Sequence, residues 1–254
     1  MHENSYTLIG HGPAQVIALH GWFGHARGWG PFQQLLDVER FTYAFLDCRG
    51  YGGSREMGGE FSIAETAGDA LRLANRLNWK RFSVMGHSMG GKAMQAMAIR
   101  APEQVAAMVG ITPVPPGPVP FDQATRAYFE SAAHDAQARY GIIDNTTGKR
   151  HSGTWLQAMV EDSIAHSEQS AFEQYFHAWA DTDLSAQVAG NETPTLLVVG
   201  EHDPSITPAL MENTYGQLYR NVSLEVIGNA GHYPMNETPV NLVSLIERYL
   251  QDQR

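Results

Sequence analysis

The chain predicts an α/β fold: a mostly parallel sheet with helices on both faces, interrupted by a helical insert. Three observations carry this expectation. Short apolar runs alternate with stripes at helical spacing, the pattern of strands covered on both sides by crossover helices. The run Arg81-Phe82-Ser83-Val84-Met85 leads through Gly86-His87-Ser88-Met89-Gly90-Gly91 into an Ala- and Met-rich, helix-forming segment. Past Pro113 the alternation stops, and only helical periodicity remains until about Leu184.

Taken in order, residues 1–14 are polar and read as an irregular lead-in or a short edge strand. Gln15-Val16-Ile17-Ala18-Leu19 is a buried-strand run ending in His20-Gly21-Trp22-Phe23-Gly24. Trp29, Phe32, Leu35 and Leu36 fall at helical spacing and predict a first helix. Phe41-Thr42-Tyr43-Ala44-Phe45-Leu46 is a second strand, followed by Asp47-Cys48-Arg49-Gly50-Tyr51-Gly52-Gly53-Ser54. Ser62 with Glu65 has capping-box spacing, and Ile63, Ala67, Ala70, Leu71, Ala74 and Leu77 share one helix face.

A G-x-S-x-G between strand and helix is the nucleophile-elbow pattern. Such a sharp turn leaves no room for Cβ atoms at Gly86 and Gly90, and it exposes the Ser88 hydroxyl at its tip. Val105-Ala106-Ala107-Met108-Val109-Gly110-Ile111 is the next strand. Pro113, Pro115, Pro116, Pro118 and Pro120 then form a stiff connector that continues neither strand nor helix. Beyond it Phe172, Tyr175, Phe176 and Trp179 sit at i, i+3, i+4, i+7, and Trp155 with Met159 makes a shorter stripe. An all-helical insert at this point is expected to lie as a lid over the carboxyl ends of the strands. The expected division is a core of residues 1–113 and 188–254 and a cap of residues 114–187.

The sheet resumes at Thr195-Leu196-Leu197-Val198-Val199, followed by Gly200-Glu201-His202-Asp203-Pro204. Val222-Ser223-Leu224-Glu225-Val226-Ile227 is the last strand and leads to Gly231-His232-Tyr233. Thr238 as N-cap and Pro239 at the first helical position open a closing helix with Leu242, Val243, Ile246, Tyr249 and Leu250 inward.

Composition narrows the function. In 254 residues, 43% are apolar and the formal charge is −10, which argues against nucleic acid and anionic membrane surfaces as partners. No opening segment has signal-peptide character, and no apolar run is long enough to span a bilayer. Cys48 is the single cysteine, so no intrachain disulfide forms, which fits a cytoplasmic setting. The glycosylation sequons at Asn145, Asn191, Asn221 and Asn236 are read as chance. No H-E-x-x-H or comparable cluster and no P-loop occurs, so no metal or other cofactor is expected.

Ser88, Asp203 and His232 each follow their own strand, and loops at the carboxyl edge of a parallel sheet converge. Glu201 is a second acid close by. Along nearly its whole length the chain resembles the α/β-hydrolase superfamily. The resemblance rests on His20-Gly21-Trp22, the D-x-R-G-x-G-x-S loop from Asp47 to Ser54, the elbow from Gly86 to Gly91, Gly200 to Asp203, and Gly231-His232. Within that superfamily it is similar to small serine carboxylesterases and metal-free lactonases. The order Ser, acid, His matches that fold.

The resemblance implies a Ser88–His232–Asp203 triad, with an oxyanion hole formed by the backbone N–H groups of Met89 and Trp22, Phe23 being the alternative to Trp22. It implies a cofactor-free hydrolase of a small-molecule ester or lactone. Phe23, His87, Trp155, Trp179 and Tyr233 are the expected substrate contacts, while His20, Asp47 and Arg49 are expected to order their loops. Dehalogenases and epoxide hydrolases carry aspartate where Ser88 stands. Two further enzymatic readings are a perhydrolase and a C–C bond hydrolase, the latter needing a lid cation such as Arg126, Arg139 or Lys149 to hold a carboxylate. A third reading is a ligand receptor on the same fold.

Overall fold

The computed structural model describes residues 3–253. Seven strands, β1 (Tyr6–Gly10), β2 (Ala14–Leu19), β3 (Phe41–Leu46), β4 (Phe82–His87), β5 (Val105–Ile111), β6 (Thr195–Gly200) and β7 (Val222–Ile227), form one sheet. Their order is β1-β3-β2-β4-β5-β6-β7, with β1 antiparallel to β3 and every other pairing parallel. Val16, Ile17, Ala18 and Leu19 are all buried, although successive side chains point to opposite faces. Both sides of β2 are therefore covered.

Helix α1 (Ile63–Arg76) starts where the capping pattern places it: the Ser62 side chain accepts from Glu65 N. The Glu65 carboxylate reaches back to the N–H groups of Glu60 and Phe61, tying down the preceding turn. Helix α2 (Met89–Arg100) packs on α1 and against β2, β4 and β5. The first expected helix is a short 3-10 segment, Gly30–Leu35, with Phe32 buried and Leu35 exposed. Gly30 at positive φ and Pro31 start a tight turn, and six residues do not sustain a 3.6-residue stripe.

Residues 112–194 leave the sheet after β5 and return as β6 beside it. This excursion carries α3 (Gln123–Ser131), α4 (Ala136–Thr146), α5 (Gly153–His166), α6 (Gln169–Asp181) and a last turn, α7 (Ser185–Val188). Phe172, Tyr175, Phe176 and Trp179 all face inward, and their rings pack on Trp22, Phe129, Tyr51 and Phe61. The aromatic stripe thus joins the insert to the core.

Short helices α8 (Pro208–Asn213), α9 (Tyr215–Leu218) and α10 (Pro234–Glu237) lack a stripe long enough to read from periodicity. In α11 (Pro239–Gln251) Leu242, Val243, Ile246 and Leu250 are buried as expected. Thr238 does not cap it with its side chain: its backbone N–H closes the α10 turn on Pro234 O, and its hydroxyl is buried without a hydrogen-bond partner among the described residues. Among the described residues no helix is long and apolar enough to cross a membrane.

Candidate active site

Ser88 sits between β4 and α2 at φ 51°, ψ −115°, a conformation L-residues rarely adopt. A Cβ at Gly86 would lie 2.4 Å from Gly90 O, and one at Gly90 would lie 2.2 Å from Leu19 O, so both positions require glycine. The backbone of Ser88 is pinned on both sides, its N–H donating to Ile111 O and its carbonyl accepting from Gly91 and Val114. The strain is thus held by neighbouring strands and leaves the side chain directed outward from the tight turn.

Asp203 follows β6. Its Oδ1 accepts from Ser205 N at 2.8 Å and Ile206 N at 3.0 Å, which fixes the carboxylate. Its Oδ2 lies 2.5 Å from His232 Nδ1, and the Asp203 carboxylate is fully buried. Glu201, by contrast, is exposed and accepts from Asn229 N. With Nδ1 facing the acid, Nε2 of His232 is the nitrogen free for other work.

Several groups hold His232 from behind. Its carbonyl accepts from His87 Nε2 at 2.8 Å and from Thr112 Oγ1 at 3.1 Å. Its N–H donates to Thr146 O, at the end of α4 in the insert. The buried Glu237 carboxylate accepts from Gly231 N at 2.8 Å and Tyr233 N at 2.9 Å, and it meets Arg150 and His151. Burial first, and then the neighbouring His232, push the His87 imidazole well below its ordinary range, so His87 is a neutral donor to that carbonyl.

Ser88 and His232 line one cavity of about 510 Å³ roofed by the insert. Trp22, Phe23, Ile142, Trp179, Ile206 and Leu210 make it largely apolar, and Ser185, Asn213, Thr214 and Gln217 add neutral polar groups. Among the described residues no Asp, Glu, Lys or Arg lines it. The Ser88 hydroxyl makes no hydrogen bond to another described residue, and the backbone N–H groups of Trp22, Phe23 and Met89 likewise donate to no described protein acceptor. Donors left free beside a nucleophile are what an oxyanion requires.

Of the expected substrate contacts, Phe23, Trp179 and Tyr233 line the cavity, whereas His87 and Trp155 do not. His87 is taken up by the His232 carbonyl beneath the elbow, against Gly21. Trp155 packs on His151, 4.3 Å between ring centroids, on the far side of Tyr233. Helical spacing identified an apolar face of α5 without saying what it packs on.

His20, Asp47 and Arg49 order their loops. Cys48 N–H donates to His20 Nε2, so the proton sits on Nδ1 and bonds Gly21 O; burial pulls this imidazole down to about 4. Asp47 accepts from Ala26 N and Gly53 N, and Arg49 pairs with Asp69 and Glu65. Glu237, Thr112 and Thr146 were not legible as site residues. The only trace is Glu237, four residues after Tyr233, where a carboxylate can reach back to the first N–H of the α10 turn.

Comparison with known proteins agrees with the fold. The pimeloyl-[acyl-carrier protein] methyl ester esterase of Nitrosomonas europaea is 26% identical over 249 residues, covering 94% of this chain and 96% of that protein. An esterase from Exiguobacterium antarcticum superposes with a TM-score of 0.86 at 20% identity, over 98% of this chain and 95% of that one. Est816, described as an N-acyl homoserine lactone degrading enzyme, superposes with a TM-score of 0.81 at 22% identity, over 96% of both chains. The family model for the alpha/beta hydrolase fold matches residues 15–239. With that match across most of its length, the chain belongs to the alpha/beta hydrolase fold family.

Proposed function

We propose that this protein is a serine hydrolase that cleaves an uncharged carboxylic ester or lactone through an acyl-enzyme. The observation that carries the reading is the Asp203–His232 contact at 2.5 Å behind a strained Ser88 that opens onto an apolar cavity.

A serine hydroxyl is a weak nucleophile at neutral pH, so His232 Nε2 takes its proton as Ser88 Oγ attacks the substrate carbonyl carbon. Asp203 keeps the imidazole in the useful tautomer and stabilises the imidazolium without taking the proton. The N–H groups of Met89 and Trp22 receive the developing oxyanion, each such donor being worth about 3 kcal/mol of barrier. His232 then protonates the departing alkoxide, and water, activated by the same imidazole, releases the acid from Ser88. In a lactone the leaving alkoxide stays tethered to the acyl group, so the product is a single hydroxy acid.

The cavity supports a neutral substrate with an apolar acyl part, because a carboxylate or ammonium held there would have no partner. This disfavours C–C hydrolysis of a ring-fission acid. Arg126 pairs with Glu130 and Asp181, Arg139 is buried on Phe172, and neither these nor Lys149 lines the cavity. The ester reading is supported by the 26% identical methyl ester esterase of Nitrosomonas europaea.

The test is a panel of p-nitrophenyl acyl esters of increasing chain length beside an N-acyl lactone, each with wild type and Ser88→Ala. Turnover of medium acyl chains by the wild type and its loss in the variant are expected. Equal turnover by both, or turnover of anionic diketones in place of esters, overturns the reading.

A further inference from the structure

The loop after β2 and helix α5 of the insert meet at a cluster that the proposed hydrolysis does not use. His25, buried, lies three residues beyond Trp22, and Asp162 and His166 stand one turn apart on α5. His25 Nε2 is 3.2 Å from Asp162 Oδ2, and His166 Nδ1 is 3.1 Å from Asp162 Oδ1. The two imidazoles stack with centroids 3.9 Å apart and planes 13° apart. One ligand-type atom from each residue falls within 4.8 Å of the other two.

We infer that His25, Asp162 and His166 form a binding site for a divalent transition-metal ion of the Zn²⁺ type, which pins the loop after β2 to helix α5.

The donor set selects the ion. Two imidazoles and one carboxylate suit Zn²⁺, Co²⁺ or Ni²⁺, whereas Ca²⁺ and Mg²⁺ require a shell of oxygens. Positions i and i+4 put Asp162 and His166 on one helix face, the spacing helical zinc sites use. Tetrahedral zinc with ligands at about 2.0–2.1 Å holds them roughly 3.4 Å apart, so closure needs only a small contraction. His166 is half-exposed, and its Nδ1–H donates to Asp162 O at 2.9 Å, so a turn of the ring is needed to aim a lone pair at the ion.

His25 is already oriented. Its Nδ1 faces Arg27 N–H at 3.4 Å, which turns Nε2 toward the carboxylate. An ion replaces the proton now shared there, as zinc does when it binds neutral imidazole. Among the described residues the other surface pairs, His11–Glu39, His134–Glu173, His177–Asp181 and His202–Glu201, each bring a single imidazole. The cluster is therefore a chelating site where those pairs are not.

The experiment titrates the full chain with ZnCl₂ by calorimetry, follows the thermal midpoint with and without Zn²⁺, and records the visible spectrum with Co²⁺. Wild type is compared with Asp162→Asn and His166→Ala, with circular dichroism reporting that each variant folds. One tight equivalent, a rise in midpoint, and an intense low-symmetry Co²⁺ spectrum are expected for the wild type. Each substitution is expected to weaken binding at least about tenfold and to abolish the rise. Equal Zn²⁺ affinity in wild type and variants overturns the proposal. So does a wild-type Co²⁺ spectrum like that of the aqueous ion, which needs no variant to interpret.

Discussion

Glu237 holds His232 by its flanks: the buried carboxylate accepts from the N–H groups of Gly231 and Tyr233, one residue to either side. The same carboxylate meets Arg150 and His151, which lie between α4 and α5 of the insert. The position of the imidazole is thus coupled to the roof of the cavity. Glu237→Gln keeps the shape but turns one acceptor oxygen into a donor facing a backbone N–H. It is expected to lower stability by about 1–3 kcal/mol. If Glu237 positions His232, kcat for ester hydrolysis falls while KM stays within about twofold, because the residue does not line the cavity. Urea unfolding and steady-state kinetics on the same preparation separate the two effects.

Asp203→Asn tests the imidazole's orientation directly. Its Oδ1 would still accept from Ser205 and Ile206, so the loop survives. An amide NH₂ facing His232 Nδ1 instead demands the opposite tautomer and turns the Nε2 lone pair into a donor. By analogy with the same change in serine proteases, kcat is expected to fall by about 10⁴. Burst kinetics with a p-nitrophenyl ester measures the acylation step, and a loss smaller than tenfold would mean that another acid supports His232.

Gly86, Ser88 and Gly90 show how far local sequence carries. The clash distances at the two glycines follow from the turn itself, and a five-residue motif between strand and helix specifies that turn. That β2 to β7 run parallel was legible for a similar reason, because buried runs and stripes alternate along the chain; their order in the sheet was not predicted. The Asp203–His232 contact was legible because each residue follows its own strand, whereas long-range contacts with no such strand-end marker were not. Nothing near Glu237 marks Arg150 as its partner, and nothing near His25 marks α5. Trp155 illustrates the limit: spacing shows which face of α5 is apolar, but His151 and Tyr233, not the cavity, cover it. Likewise Gly30 and Pro31 override the stripe of Trp29, Phe32 and Leu36 and tighten it into a 3-10 turn.

Among the described residues, Arg139 is a buried cation without a carboxylate partner. Its Nε donates to Ala132 O, its Nη1 donates to Ser163 and Ser167 Oγ, and its guanidinium lies 3.6 Å from the Phe172 ring centroid. Burial draws it down to about 10. The planar fork satisfies three oxygens while stacking, which an ammonium cannot do. Arg139→Lys is expected to lower stability by about 2 kcal/mol, measured by urea unfolding. Phe172 O accepts from Trp22 Nε1, so loosening this ring also disturbs the cavity wall, and KM should rise.

Lys92 bridges the two ends of the insert from helix α2. Its Nζ donates to Gly117 O at 2.9 Å and to Thr182 O at 2.7 Å, so one ammonium ties the outgoing and returning chains to the helix that starts at the elbow. Burial, opposed by Asp183 and Asp181, lowers this amine from 10.5 to about 8. The sign follows from linkage. Below pH 8 both folded and unfolded chains carry the proton, and the folded chain bears the full desolvation penalty. Between about 8 and 10.5 the unfolded chain binds more protons, so stability rises with pH across that window. By pH 9.5 the gain approaches about 2 kcal/mol. Lys92→Met lacks this titration, so the difference in unfolding free energy between wild type and variant should shift in favour of the wild type from pH 7.5 to 9.5. Urea unfolding at the two pH values checks it, and the comparison cancels the opposing contribution of buried tyrosines. A difference that does not change with pH would mean that Lys92 keeps its proton in the folded chain and that the two carbonyls fully replace its water.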